Sequence, residues 1–234
     1  MGSRPAARRG PKPKPDTRHN LLQSGLRMIH AEGYSASGIQ GIVERADVPK
    51  GSFYTYFAGK EAFGTEVIEL YSERGQVKLR DFLCNRETAP LARLEAYFDD
   101  RISAFRSSNY ARGCLLGNFS AESADHSTTI RDSLARHFRA WSAHIESCLL
   151  EARDQRAFSN EFPAALLADF IFNSWEGALL RMRARHTSPR IQADDLRQDS
   201  PIALWAVGME RRAPPLCGPN FDRWGRDPAL SHQP

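Results

Sequence analysis

Apolar residues recur at helical spacing along most of the chain. Leu22, Leu26 and Ile29 fall at i, i+4 and i+7, with Leu21, Gly25 and Met28 beside them. That spacing predicts one buried face of a helix that opens at Asp16 and stops at Gly33 as its C′ residue. Ser37 is placed to cap the next helix, whose inner face is Ile39, Ile42, Val43 and Ala46. Asp47 and Val48 predict a tight turn, and Pro49 pre-sets the start of a third, short helix that runs to Tyr56. Gly59 interrupts the pattern again. Lys60 then opens a long helix to about Cys84, with Phe63, Val67, Leu70 and Tyr71 on one side.

The same period continues. Leu91, Leu94, Phe98, Ile102 and Phe105 mark one helix, and Gly113–Glu122 reads as a short apolar one. Ile130, Leu134, Phe138, Trp141, Ile145, Cys148 and Ala152 mark a long amphipathic helix from Ser127 to Arg153. Pro163 starts another, apolar on two sides: Leu166, Phe170 and Ala178 on one, Leu167, Ile171 and Leu179 on the other. Such a helix needs a second partner, and a sister subunit is the usual one. No strand-type alternation competes, so the expected fold class is all-α. The expected organisation is an arm over 1–15, a first helical domain over 16–62, a second helical domain over 63–212, and a tail over 213–234. Within the third part, Ile202–Met209 is a candidate last helix.

The segment SGIQGIVERADVPKGSFYTYF over 37–57 has the order helix, turn, short helix of a helix-turn-helix. Its second helix makes a poor core element. Only Phe53 and Phe57 are placed to be buried, whereas Lys50, Gly51, Ser52, Tyr54, Thr55 and Tyr56 face outward. Gly51 permits close backbone approach, and Lys50 and the helix start suit a phosphate. Ser52 and Thr55 suit base edges. Ser37 and Lys60 complete the expected DNA-facing set, together with Arg8 and Arg9 of the Pro-interrupted basic arm, which resembles a minor-groove hook.

Charge agrees with this polarity. Residues 1–60 carry ten Lys/Arg against four acids, a balance of +6, while the remainder carries 22 against 24, a balance of −2. A basic quarter on a near-neutral body points one end at a polyanion. No apolar run is long enough for a membrane span, and the first 15 residues lack the apolar core of a signal peptide. The four cysteines, Cys84, Cys114, Cys148 and Cys217, form no C-x-x-C, which excludes a zinc ribbon and suits a reducing cytoplasm.

GYSASGIQGIVERADVPKGSFYTYFAGKEAF resembles the DNA-binding domain of TetR-family transcriptional repressors. Gly33, Tyr34, Ile42, Ala46, Val48, Lys50, Gly51, Tyr54, Tyr56, Phe57, Lys60, Glu61 and Ala62 carry the likeness. Asp47 stands where that pattern has Gly, and Asp tolerates the left-handed conformation better than most residues. Gly41 replaces the usual Asp. RGCLLGNFSAE (112–122) and WEGALLR (175–181) further resemble a subgroup that regulates N-ethylmaleimide reductase and acrylate metabolism. The resemblance implies a cytoplasmic homodimer binding double-stranded operator DNA, with C-terminal helices that form an effector pocket and the dimer interface. The implied effector is a small electrophile or a small acid. No cofactor, metal or membrane is implied.

Cys114, Phe98, Phe119, Phe138, Trp141 and Trp175 are the candidate pocket residues. Cys114 has two readings. Arg112 and a helix start can favour a reactive thiolate, or the residue is an inert small hydrophobe. His144 and Cys148, one turn apart, lack a third metal ligand. Two other classes stand beside the regulator: an effector-independent architectural DNA binder, and an enzyme without a recognisable motif. The second explains neither the arm nor the helix-turn-helix, and the chain contains no Walker, G-x-S-x-G, H-E-x-x-H or G-x-G-x-x-G motif.

Overall fold

A computed structural model describes residues 16–157 and 162–184. Arg8, Arg9, Cys217 and the candidate helix at Ile202–Met209 lie outside the described residues. Within these, the chain forms eight helices: α1 (Thr17–Glu32), α2 (Ile39–Arg45), α3 (Lys50–Tyr56), α4 (Lys60–Leu83), α5 (Pro90–Ser107), α6 (Leu115–Ser123), α7 (Thr128–Asp154) and α8 (Ala164–Ala184). The all-α expectation holds, and glycine or proline stands at the start of α2, α3, α4 and α5.

Helices α1, α2 and α3 pack together and against the start of α4. The reason is a ring cluster. Phe53 of α3 is fully buried, with Phe57 at 5.2 Å and Phe63 of α4 at 5.2 Å between ring centroids. Gly25 of α1 makes room for it, since a Cβ there would stand 2.2 Å from the Phe63 ring. The two turns use the conformations their residues allow. Gly33 has φ 91° and closes α1 with its N–H on the Ile29 carbonyl, and Asp47 takes φ 53° in the left-handed region.

One local expectation is corrected. Ser37 does not cap α2. The helix starts after Gly38, and the buried Ser37 hydroxyl donates back to the Gly33 carbonyl at 2.6 Å. Gly41 is small for a packing reason, because a Cβ would meet the Met28 Cε at 2.7 Å where α2 crosses α1.

The second unit is built around α7, which packs along both α4 and α8 and touches α5 and α6. Ser127, expected as its first residue, is its cap: the side chain accepts from the Ile130 N–H at 3.0 Å. Arg93 of α5 is buried and fixes the far end, donating to the Leu83 carbonyl at 2.9 Å and to both carboxylate oxygens of Glu151 at 2.8 and 2.7 Å. Helix α4 is shared, with Phe63 in the first unit's core and Tyr71 in the second. On α8, Ala178 is corrected to the buried face with Ile171, Trp175 and Leu179, whereas Leu166, Phe170 and Leu180 are more than half exposed.

Candidate DNA-binding surface and effector cavity

Helix α3 presents its polar side outward as its sequence dictates. Lys50, Gly51, Tyr54 and Thr55 are exposed, and Ser52 and Tyr56 are half-buried. Tyr54 is 56% exposed, an aromatic ring held in solvent where it contributes little to folding. Thr55 Oγ1 donates to the Gly51 carbonyl at 3.3 Å. Two members of the expected set do not share this face. Ser37 is fully buried, for the reason given above. Lys60 is half-buried and turned to the α1–α2 turn, with Nζ donating to the Ser35 carbonyl at 3.1 Å and lying 4.7 Å over the Tyr34 ring. Burial lowers its pKa, and Glu122 opposes that shift. It braces the turn instead of standing free for a phosphate.

Between the two units lies a cavity of about 340 Å³. Its walls come from five helices. Leu26, Arg27 and His30 belong to α1, Tyr71, Arg74 and Lys78 to α4, Tyr97, Arg101 and Phe105 to α5, Trp141 to α7, and Trp175, Glu176 and Leu179 to α8; Arg112 and Cys114 come from the segment before α6. Of the candidate pocket residues, Cys114, Trp141 and Trp175 line this cavity. Phe98 is outside this lining, packed behind Trp175 with ring centroids 4.9 Å apart. Phe119 is also core, against Tyr34 at 4.9 Å. Phe138 instead lines a second, more open cavity of about 550 Å³, with Phe172 and Leu180.

The cavity is cationic at its rim and polar at one buried point. Lys78 and Arg101 share Asp100, the former at 2.9 Å. Arg27, Arg74 and Arg112 have no carboxylate partner among the described residues; Arg27 and Arg74 donate instead to Ser24 and Gln23. Inside, the Cys114 thiol hydrogen-bonds to the Glu176 carboxyl. Burial pushes the Glu176 pKa up to about 7, partly offset by that hydrogen bond. The surroundings of Cys114 favour its thiol form over a thiolate held by Arg112. Arg112 is exposed, Cys114 is buried, and burial followed by the Glu176 charge pushes the thiol well above its ordinary range. Cys148 is likewise occupied, donating from Sγ to the Pro90 carbonyl at 3.1 Å, and among the described residues no three metal-ligating side chains gather.

Helix α6 ties the cavity to the first unit at both ends. Before its start, His30 Nε2 of α1 donates to the Gly113 carbonyl at 2.8 Å; burial lowers the His30 pKa and keeps the ring neutral. Near its end, the Glu122 carboxylate accepts from the Ser35 N–H at 2.8 Å. Sequence reasoning missed Glu176, His30 and Glu122. The one available signal was a carboxylate beside Trp175 in the apolar run of α8.

Comparison with known proteins gives this arrangement a family. Residues 21–67 match the family described as "Bacterial regulatory proteins, tetR family", and residues 90–193 match "Tetracyclin repressor-like, C-terminal domain". The HTH-type transcriptional repressor DhaR of Mycobacterium sp. (strain GP1) is 36% identical over 166 residues, 71% of this chain and 82% of DhaR. The transcriptional regulator AcuR of Cereibacter sphaeroides is 32% identical over 180 residues, 75% of this chain and 82% of AcuR. The crystal structure of reduced NemR from E. coli superposes with a TM-score of 0.71 at 28% identity, covering 79% of this chain and 95% of that one. These relatives are regulators, not enzymes, and the chain belongs to the TetR family of helix-turn-helix, DNA-binding transcriptional regulators.

Proposed function

We propose that this protein is a ligand-responsive repressor, a cytoplasmic homodimer released from its operator by a small acid. One observation carries the reading: α1 of the DNA-binding unit forms a wall of the cavity through Leu26, Arg27 and His30. A ligand there touches both units at once. It also bears on Cys114, the residue next to the carbonyl that His30 holds. Movement of α6 then reaches the α1–α2 turn through Glu122 and Ser35. The ligand must favour the released state, and DNA must weaken ligand binding by the same factor.

Repression is supported by the name that DhaR carries. Among the two effector classes, a non-covalent acid is favoured over an electrophile. The cavity's cationic rim attracts an anion, and its cysteine is buried and held as a thiol. The dimer is supported by α8. At 100° per residue, Leu166, Phe170, Asn173, Gly177 and Leu180 fall on one stripe, and the large apolar members are exposed. A sister α8 suits that stripe, and it sets two α3 helices on two half-sites roughly 34–36 Å apart.

The test is fluorescence anisotropy of the full chain on a duplex from its own upstream region. Tight binding that falls steeply with salt, weakens for Lys50→Ala and Tyr54→Ala, and reverses with a small acid is the expected result. Equal binding by both variants sinks the assignment of α3.

A further inference from the structure

The cavity's polar interior names the group that its ligand must carry, and this rests on the reading of the cavity as the effector site. Two side-chain atoms there are buried and find no partner among the described residues: Trp141 Nε1, a donor, and Glu176 Oε1. Trp141 is itself 6% exposed. A buried polar atom without a protein partner is costly to folding unless water or a ligand completes it. Both residues line the same cavity, Trp141 from α7 and Glu176 from α8, with Leu26, Phe105, Trp175 and Leu179; Glu176 also lines the second cavity, together with Arg139 of α7 and Asp169 of α8.

We infer that Trp141 and Glu176 form a carboxylate-reading subsite, in which Trp141 N–H and a protonated Glu176 both donate to the carboxylate of a small monocarboxylate with an apolar body. The alternatives fit less well. An ammonium ligand would satisfy an ionised Glu176 but would have to pass Arg27, Arg74 and Arg112, which carry no compensating acid. A neutral alcohol or amide gains nothing from that rim. A carboxylate is drawn in by it, and then meets donors only if Glu176 carries a proton.

The surroundings of Glu176 permit that proton. Cys114 faces it from the start of α6, and Tyr71 of α4 and Tyr97 of α5 interact with it electrostatically. All three are neutral in the physiological range, because burial pushes each of them up. Of the remaining titratable lining, His30 of α1 is held neutral. Arg27, Arg74, Lys78, Arg101 and Arg112 stand on the α1, α4, α5 and loop walls, and none of them lowers the Glu176 pKa. With its pKa near 7, Glu176 takes up a proton when the ligand arrives from neutral or alkaline solution. The stoichiometry is one ligand carboxylate, one Glu176 carboxylate and one proton from solvent, giving one neutral carboxyl hydrogen-bonded to one carboxylate. Binding is therefore fullest below about pH 7 and weakens above it, by about tenfold per pH unit while one proton is taken up.

Calorimetric titration of the full chain with benzoate and hexanoate, against benzamide, benzyl alcohol and hexanamide, tests this. Measurements from pH 6 to 8.5, in two buffers of different ionisation enthalpy, count the protons. The expected result is binding of at least one acid, at least tenfold tighter than its amide, with about one proton taken up per ligand at pH 8. Glu176→Gln should abolish the uptake and flatten the pH profile. Trp141→Phe should weaken binding yet keep the uptake, which separates a reader of the ligand from a merely structural residue. Should Glu176→Gln fail to fold by circular dichroism, the wild-type proton count and Trp141→Phe still decide. Neutral analogues binding as tightly as the acids, a pH-independent affinity, uptake surviving in Glu176→Gln, or no binding by either acid each overturns the subsite. Operator binding without ligand is measured alongside. An acid that binds without releasing DNA refutes the proposed regulation and leaves the subsite standing, whereas tight operator binding with no acid bound refutes the subsite and leaves the operator-binding reading standing.

Discussion

Replacing Gly51 by alanine should move stability and DNA affinity in opposite directions. Gly51 is the second residue of α3, exposed, and a Cβ built on it meets nothing within 4 Å. Folding alone prefers alanine in a helix, by about 0.5–1 kcal/mol, because glycine loses more backbone freedom. Near a helix end the lower figure applies. For a chain of this size, about 0.5 kcal/mol corresponds to a rise of roughly 1–2 °C in melting temperature. On DNA the same methyl group stands between the α3 backbone and the duplex. Holding α3 off by one methyl loses contacts along the whole helix, at a cost of at least about 1.4 kcal/mol, a tenfold weaker Kd. Thermal melting followed by circular dichroism reads the first effect, and anisotropy at one fixed salt concentration reads the second. A variant that melts higher and binds DNA as tightly as wild type would refute the placement of α3 against the groove.

Three further outcomes are expected. Burial raises the Glu176 pKa to about 7 from an ordinary 4.5, so its contribution to stability is full below about pH 4.5 and is lost as pH rises to 7. Urea unfolding at pH 8 should then find Glu176→Gln more stable than wild type, by on the order of 2 kcal/mol after discounting for its partial exposure, with the difference gone at pH 4. Phe170→Glu, on the exposed stripe of α8, should give a monomer by sedimentation velocity and abolish tight operator binding; an unaltered dimer would move the interface elsewhere. Glu122→Ala removes the acceptor for the Ser35 N–H, and should leave operator affinity within about tenfold while blunting ligand-induced release in the same anisotropy assay.

Much of the first unit was legible because its turns depend on residues with restricted or unusual backbones. Gly33 at φ 91°, Asp47 at φ 53° and Pro49 mark the boundaries by themselves. Phe53, between polar neighbours, could only face inward. Ser37 misled because the cap rule fixes a residue type and not a register. Gly38 ahead of α2 moved the helix start by one residue and left the Ser37 hydroxyl nearer the Gly33 carbonyl. Lys60 misled in the same way: a lysine at a helix start fits a phosphate or the ring and carbonyl of the preceding turn, and the Tyr34 ring settled it. The cavity was less legible. Periodicity finds the apolar stripe of α5, Leu91, Leu94, Phe98, Ile102 and Phe105, of which Phe105 lines the cavity, whereas Tyr97 and Arg101 of the same wall lie off that stripe. Cys114 was judged from its neighbour in sequence, Arg112, while its neighbour in space is Glu176, sixty-two positions on.

The most direct test of the central claim is selection of bound duplexes from a random pool by the full chain. Sequencing of the retained pool should yield one two-fold symmetric motif, with half-sites about one helical turn or slightly more apart, that disappears when Lys50→Ala, Tyr54→Ala protein is used. Retention without sequence enrichment, or the same motif recovered by the double variant, would contradict a dimer that reads its operator through α3.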